Sequence, residues 1–216
     1  MSEVTVLSVQ TGRIRPLGPE DVPSAIAKQA RAGPIAAGPL GLDGDQQADL
    51  TVHGGAEKAI YGYAAVHFSD WANAFPALRE RFANGAMGEN LTIAGLTEAD
   101  ICPGDVHAVG SALLQVCQPR QPCFKFALHL GEPRVVKWMV QSGFSGWYYR
   151  VLRPGSLGAG DTVTLAERPN PDFPFARLVE IVSFGRPTRA ELERMADMPG
   201  LASQWRRKAR IALRGV

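Results

Sequence analysis

Glycine and proline set how long any regular segment of this chain can run. With 23 Gly and 16 Pro among 216 residues, most apolar runs in the first two thirds stop at strand length, too short for a helix. Val4–Gln10 (VTVLSVQ) alternates apolar and polar residues and predicts a strand. Ala59–Tyr63, Glu89–Ile93, Gly146–Leu152 and Thr162–Ala166 read the same way. Asp105–Val109 and Leu113–Gln118, separated by Gly110-Ser111-Ala112, predict a hairpin. Residues 11–23 and 33–44 read as loop, and Ser24–Ala30 fits a strand or a helix start.

Two stretches break the pattern. From Val66, the residues Phe68, Trp71, Phe75, Leu78 and Phe82 recur at steps of three and four, an amphipathic helix broken at Phe75-Pro76. Pro133 opens a helix carrying Val135, Val136, Met139 and Val140. PNPDFP at 169–174 is a linker, after which Phe175–Phe184 and Thr188–Leu213 read as helical, the latter begun by a Thr188/Glu191 capping box. The expectation is a mainly β fold with helical insertions (α+β). A β-rich, barrel-like core fills residues 1–168, and a small three-helix-type appendage fills 175–216.

Composition excludes several classes. At 45% hydrophobic and 20% charged the chain is an ordinary globular protein, and its net charge of +2 argues against a stable nucleic-acid complex. Charge is uneven: residues 177–216 hold nine Arg or Lys against four Asp or Glu, which reads as a solvated helix face. No stretch approaches the roughly 20 apolar residues of a membrane span, so no membrane association is expected. Three cysteines, with no CxxC pair, disfavour a zinc site and a disulfide framework and point to the reducing cytoplasm.

Chemistry concentrates in Leu113–Phe126, LLQVCQPRQPCFKF. Pro119 and Pro122 fix their own φ and push Gln118 and Gln121 towards extended geometry. Cys123 is then a thiol on a stiff loop with Arg120 and Lys125 close in sequence. Cationic surroundings favour the thiolate, the form that acts as nucleophile and metal ligand. Cys117 fits a core position instead, and Cys102 gives no signal. His53 beside Gly54 and Gly55, with Lys58 following, can present an imidazole, backbone amides and an ammonium to an anion. The carboxylates Asp43, Asp45 and Asp49 do not match a calcium loop, because Gly54 stands where its bidentate Glu belongs, and they read as turn residues. GSLGAG at 155–160 lies between strands and is turn chemistry. His67, His107 and His129 show no metal-type pairing.

Taken together, GLDGDQQADLTVHGGAEKAIYGY (41–63), GENLTIAGL (88–96), GDVHAVGSALLQVCQPRQPCFK (104–125) and SGWYYRVLRPGSLGAGD (145–161) resemble the MOSC family, the C-terminal domain of molybdenum cofactor sulfurases. The layout is similar to the family's stand-alone bacterial branch, in which three helices follow the core. The resemblance implies a MOSC-type β-barrel and a pocket for the molybdenum cofactor, a molybdenum-pterin. In it Cys123 ligates the metal or carries a persulfide. It implies His53, Gly54, Gly55, Lys58, Asn90, Arg120 and Lys125 as cofactor-binding residues, Arg120 suiting phosphate best. Three functions follow as expectations. One is a reductase of N-hydroxylated compounds, such as N-hydroxylated purine bases; the chain has no flavin, haem or iron–sulfur motif, so an electron-donating reductase must serve it. Another is a sulfur carrier loaded by a pyridoxal-phosphate-dependent desulfurase. The third is a non-catalytic cofactor-binding module. Removal of everything after Arg168 is expected to leave cofactor binding intact.

Overall fold

A computed structural model describes residues 3–50 and 53–215. Two short antiparallel pairings accompany the first strand, β1 (Thr5–Thr11): β2 (Arg15–Leu17) with β3 (Val22–Ser24), and β1 itself with β4 (Gln29–Ala30). Next come β5 (Ile35–Gly38) and β6 (Gly41–Leu42), then a 3-10 turn at Ala56–Lys58 and β7 (Ile60–Ala64). Helix α1 (His67–Ala74) stops before Phe75-Pro76 and a 3-10 helix continues over Pro76–Arg81, as proline at that point dictates. The remaining strands are β8 (Leu91–Ala94), β9 (Val106–Val109), β10 (Ala112–Pro119), β11 (Trp147–Arg153), β12 (Gly155–Leu157) and β13 (Val163–Glu167). Between β10 and β11 lie α2 (Phe124–Leu130) and α3 (Arg134–Ser142).

Eight strands form one sheet in the order β13-β9-β10-β11-β7-β8-β1-β4, antiparallel except for the β7–β8 pair. The class is α+β, as the punctuation predicts. The expected barrel is corrected. The sheet curls until β1 meets the chain just before β13, where Thr5 bridges Thr162 and Val6 N donates to Asp161 O at 2.9 Å. Gly160 N on Val6 O and Val163 N on Val4 O, both at 2.8 Å, add to this seam, but it amounts to one isolated bridge and no strand ladder, so the barrel is not continuously closed. The reason is local: residues 158–161 are a turn, with Gly158 N on Asp161 Oδ2 at 2.8 Å and Gly160 at φ +92°, and a turn cannot run on as a ladder partner.

Residues 175–214 form α4 (Phe175–Phe184), α5 (Arg189–Asp197) and α6 (Ser203–Arg214). Thr188 and Glu191 make the reciprocal capping box at the start of α5. These helices have no separate core. Phe175, Leu178, Ile181, Met195 and Trp205 pack in one cluster with Leu114, Val116 and Trp147 of the sheet. Arg168 bonds buried Asp105 at 2.7 Å, and Asn170 donates to Pro103 O and Pro199 O, so the linker is stitched to both sides. A second cluster, with Trp71, Phe75, Phe126 and Trp138, lies under α1, α2 and α3.

Candidate functional site

The site forms where β10 ends. Its pairing with β9 stops at Gln115, whereas β11 accompanies it to Pro119, so the last residues of β10 leave the sheet on one side. The register slips at Cys117, which is squeezed between the Val116–Tyr149 and Gln118–Tyr148 pairs. Such a bulge re-aims the residues beyond it. Cys117 itself is consumed: its thiol donates to Glu57 O (2.9 Å) and Tyr148 O (3.3 Å), and burial pushes it up to about 12. It is an inert core thiol, and all three cysteines are free.

After Pro119 the chain runs through Arg120 to Cys123, which is extended (φ −128°, ψ 173°) and directly precedes α2. The sequence reading placed no helix here, although Phe126 and Leu130 stand four apart and Gly131 ends the helix at φ +66°. Cys123 is half-buried. Burial raises its pKa, but a hydrogen bond with His53, the Arg120 charge and the Lys125 backbone amide outweigh that and draw it down to about 7. The thiolate is therefore far more accessible near neutrality than for an ordinary cysteine.

Cys123 opens onto a solvent-connected cavity of about 100 Å³, whose lining includes five of the other candidates, His53, Lys58, Asn90, Arg120 and Lys125. Gly54 and Gly55 do not line it. Gly55 shapes the wall instead, its φ of +83° turning the chain into the 3-10 turn that carries Lys58. A Cβ at Gly54 would sit 2.9 Å from Leu50 Cδ2.

Arg120 is buried, stacked between the rings of Tyr61 (4.9 Å) and Phe126 (5.4 Å), and donates through Nη1 to Met87 O. That leaves less than a full fork for a phosphate. Asn90 is a tie: its Oδ1 accepts from Tyr61 N at 3.0 Å, and its Nδ2 donates to Gln10 O and Asp45 Oδ2. Lys125 Nζ reaches Pro23 O at 2.8 Å from a half-exposed position.

Several site residues escaped the sequence reading. Tyr61 and Tyr148 line the cavity with their rings 5.2 Å apart. Buried Glu89 accepts from Gly85 N (2.6 Å) and Met87 N (2.9 Å), shaping the turn that offers Met87 O to Arg120. Lys28 and Asp45 pair at 2.5 Å on the cavity wall. A lone lysine in an apolar run was the available signal; Asp45, expected to accept within its own turn, accepts instead from the distant Gly12 N.

The C-terminal segment reaches the site through Glu57. Its carboxylate accepts from Ser203 N and Oγ at the start of α6 and pairs with Arg150 at 2.7 Å. Its carbonyl takes the Gln118 amide, whose Oε1 in turn accepts from Trp205 Nε1 at 3.2 Å. Two other histidines are structural: His67 bonds Glu98 at 2.7 Å and His107 bonds the Tyr149 hydroxyl at 2.8 Å.

The MOSC domain family model matches residues 49–164, a span that takes in most of the curled sheet and the bulged strand leading to Cys123. The chain belongs to that family, which is associated with molybdenum-cofactor binding. Among its relatives is Protein YiiM of Escherichia coli, 41% identical over 162 residues, covering 75% of this chain and 72% of that one. A protein called "Reductase" of Gibberella moniliformis is 37% identical over 180 residues, 82% of this chain and 32% of its own length. The crystal structure of YiiM from Geobacillus stearothermophilus superposes with a TM-score of 0.81 at 34% identity, covering 97% of this chain and 99% of that one. No described helix is long and apolar enough to cross a membrane.

Proposed function

We propose that the cavity binds a molybdenum-pterin cofactor with Cys123 as metal ligand, and that the protein reduces N-hydroxylated compounds, N-hydroxylated purine bases among them. The observation that carries this reading is the Cys123 thiol, drawn to about 7 at the edge of a cavity walled by cations. A thiolate is the protein ligand that a soft metal prefers. Among the described residues no group of three or more His, Cys, Asp or Glu side chains is placed to hold a metal ion, so the metal has to arrive carrying ligands of its own. Lys58, Arg120 and Lys125 on the cavity wall suit a phosphate-bearing ligand, Lys28 being held by Asp45. When bound, the cofactor supplies two-electron redox chemistry. The chain's own part is to keep Sγ ionised through His53 and to flank the site with the Tyr61 and Tyr148 rings. The kinship with a protein called "Reductase" supports an oxidoreductase, served by an electron-donating reductase.

The same half-buried thiolate favours a second reading, a sulfur carrier in which Cys123 takes a persulfide from a pyridoxal-phosphate-dependent desulfurase. One preparation separates the two. Protein purified from molybdate-replete cells is assayed for molybdenum, pterin fluorescence and the mass of the Cys123 peptide, beside Cys123→Ser. Stoichiometric metal and pterin, lost in the variant, support the reductase; one added sulfur atom on Cys123 without metal supports the carrier. Cofactor fully retained by Cys123→Ser sinks the ligand role.

A further inference from the structure

Lys28 and Asp45 form an ion pair whose construction exceeds what structural support requires. Lys28 Nζ lies 2.5 Å from Asp45 Oδ1, with side chains 8% and 2% exposed. Asp45 Oδ1 also accepts from Gly12 N at 2.7 Å and Oδ2 from Asn90 Nδ2 at 2.8 Å. Three donors, Lys28 Nζ, Gly12 N and Asn90 Nδ2, fix this carboxylate in place, so it is an anchor for the ammonium. Both side chains line the cavity onto which Cys123 opens.

Reduction of an N-hydroxyl group needs acid at this point. The overall change is R–NHOH plus two electrons and two protons giving R–NH2 and water: the N–O bond breaks, an N–H bond forms, nitrogen is reduced. Hydroxide is a poor leaving group, so the oxygen must be protonated as it departs. The other polar groups of the cavity fit this task badly. Arg120 cannot release a proton. Burial holds the Tyr61 and Tyr148 hydroxyls above their ordinary range, and Tyr61 already donates to Ser145 O. His53 is engaged with Cys123. Lys125 donates to Pro23 O. Lys58 also lines the cavity and burial lowers it too, but the carboxylate acting on it, Glu57, does not line the cavity, whereas Asp45, which anchors Lys28, does.

We propose that Lys28 is the acid of this site, its Nζ passing a proton to the departing N-hydroxyl oxygen while Asp45 holds it in place. This rests on the N-hydroxyl reductase reading. The electrons come from the external reductase, the second proton from solvent water goes to nitrogen, and Lys28 is reprotonated from solvent. The groups bearing on Nζ are Asp45, Arg120 and Glu89; burial and Arg120 lower its pKa against the two carboxylates, which eases release of the proton.

The test combines turnover with a measurement that needs no cofactor. In cofactor-loaded protein supplied with reductase and an N-hydroxylated purine base, Lys28→Gln is expected to lower kcat about 100-fold or more with little change in KM and with molybdenum and pterin content retained. Lys28→Arg keeps the charge and is not expected to restore turnover, whereas Lys28→Ala is expected to recover part of it with added ethylammonium. Full activity in Lys28→Arg, or cofactor loss that parallels activity loss, overturns the role. Separately, in apo protein the 15N resonance of Lys28 Nζ is expected to titrate below those of the exposed lysines, and lower still in Asp45→Asn. Titration of Lys28 together with the surface lysines overturns the inference whatever the substrate. Absence of any N-hydroxyl turnover in the wild type overturns the reductase reading, and the acid role with it, even where the titration is as expected.

Discussion

At the scale of single residues, the site turns on how one thiol is kept ionised. Because His53, Arg120 and the Lys125 amide overcome the cost of burial at Cys123, its rate of alkylation by iodoacetamide is expected to rise with a midpoint near pH 7. His53→Ala should move that midpoint upward, and an unchanged profile would remove His53 from the activating set. Gly88 lines the same cavity at φ +74°, and a Cβ there would lie 2.6 Å from Ile26 Cγ1. Gly88→Ala is expected to cost about 1–3 kcal/mol, read as a lower midpoint in thermal unfolding. Cys123 was legible because two prolines and two cations surround it. Asn90, Lys28 and Asp45 take their meaning from contacts between positions 10, 12, 28, 45 and 90. No local spacing encodes such contacts.

At the scale of elements, short-range signals read well and long-range closure did not. The break at Phe75-Pro76, the capping box at Thr188 and the β9–β10 hairpin each follow from neighbours a few residues apart. Failure to close a barrel depends on a turn at 158–161 meeting a strand more than 150 positions away, which periodicity cannot report. Helix α2 starts directly after the stiff loop and is seven residues long, too short for a helical period to stand out in the sequence. The turn at 85–88 is held by Glu89, whose carboxylate also accepts from Thr92 Oγ1 at 2.8 Å. Glu89→Ala strands those donors and is expected to destabilise by about 1–3 kcal/mol, with Arg120 losing its fixed acceptor; a stability within error of wild type would contradict this.

For the whole molecule, the shared core bears on the expectation that removal of everything after Arg168 leaves cofactor binding intact. Phe175, Leu178 and Trp205 are buried against the sheet, so deletion of 169–216 uncovers an apolar face. The truncated chain is expected to lose cooperative unfolding and to bind hydrophobic dyes; a sharp calorimetric transition would refute this. Acid sensitivity also belongs to this scale. Burial lowers His107 to about 4 and, with Arg81 and Arg120 adding to burial, His129 to about 4. Unfolded histidines take up protons from about pH 6.5 downward while the folded ones resist. Stability is therefore expected to fall as pH drops from 6.5 towards 4, by up to about 3 kcal/mol for His107. A flat denaturation midpoint across that interval would contradict it.

The hydrogen bond from Trp205 to Gln118 gives the tail one more property. Gln118 lies five residues before Cys123 on the strand that delivers it, and the indole of a C-terminal helix rests on that strand's edge. Indole fluorescence depends on the partner of its N–H, so in a chain whose other three tryptophans are replaced, Trp205 emission is expected to report any shift of the strand that delivers Cys123.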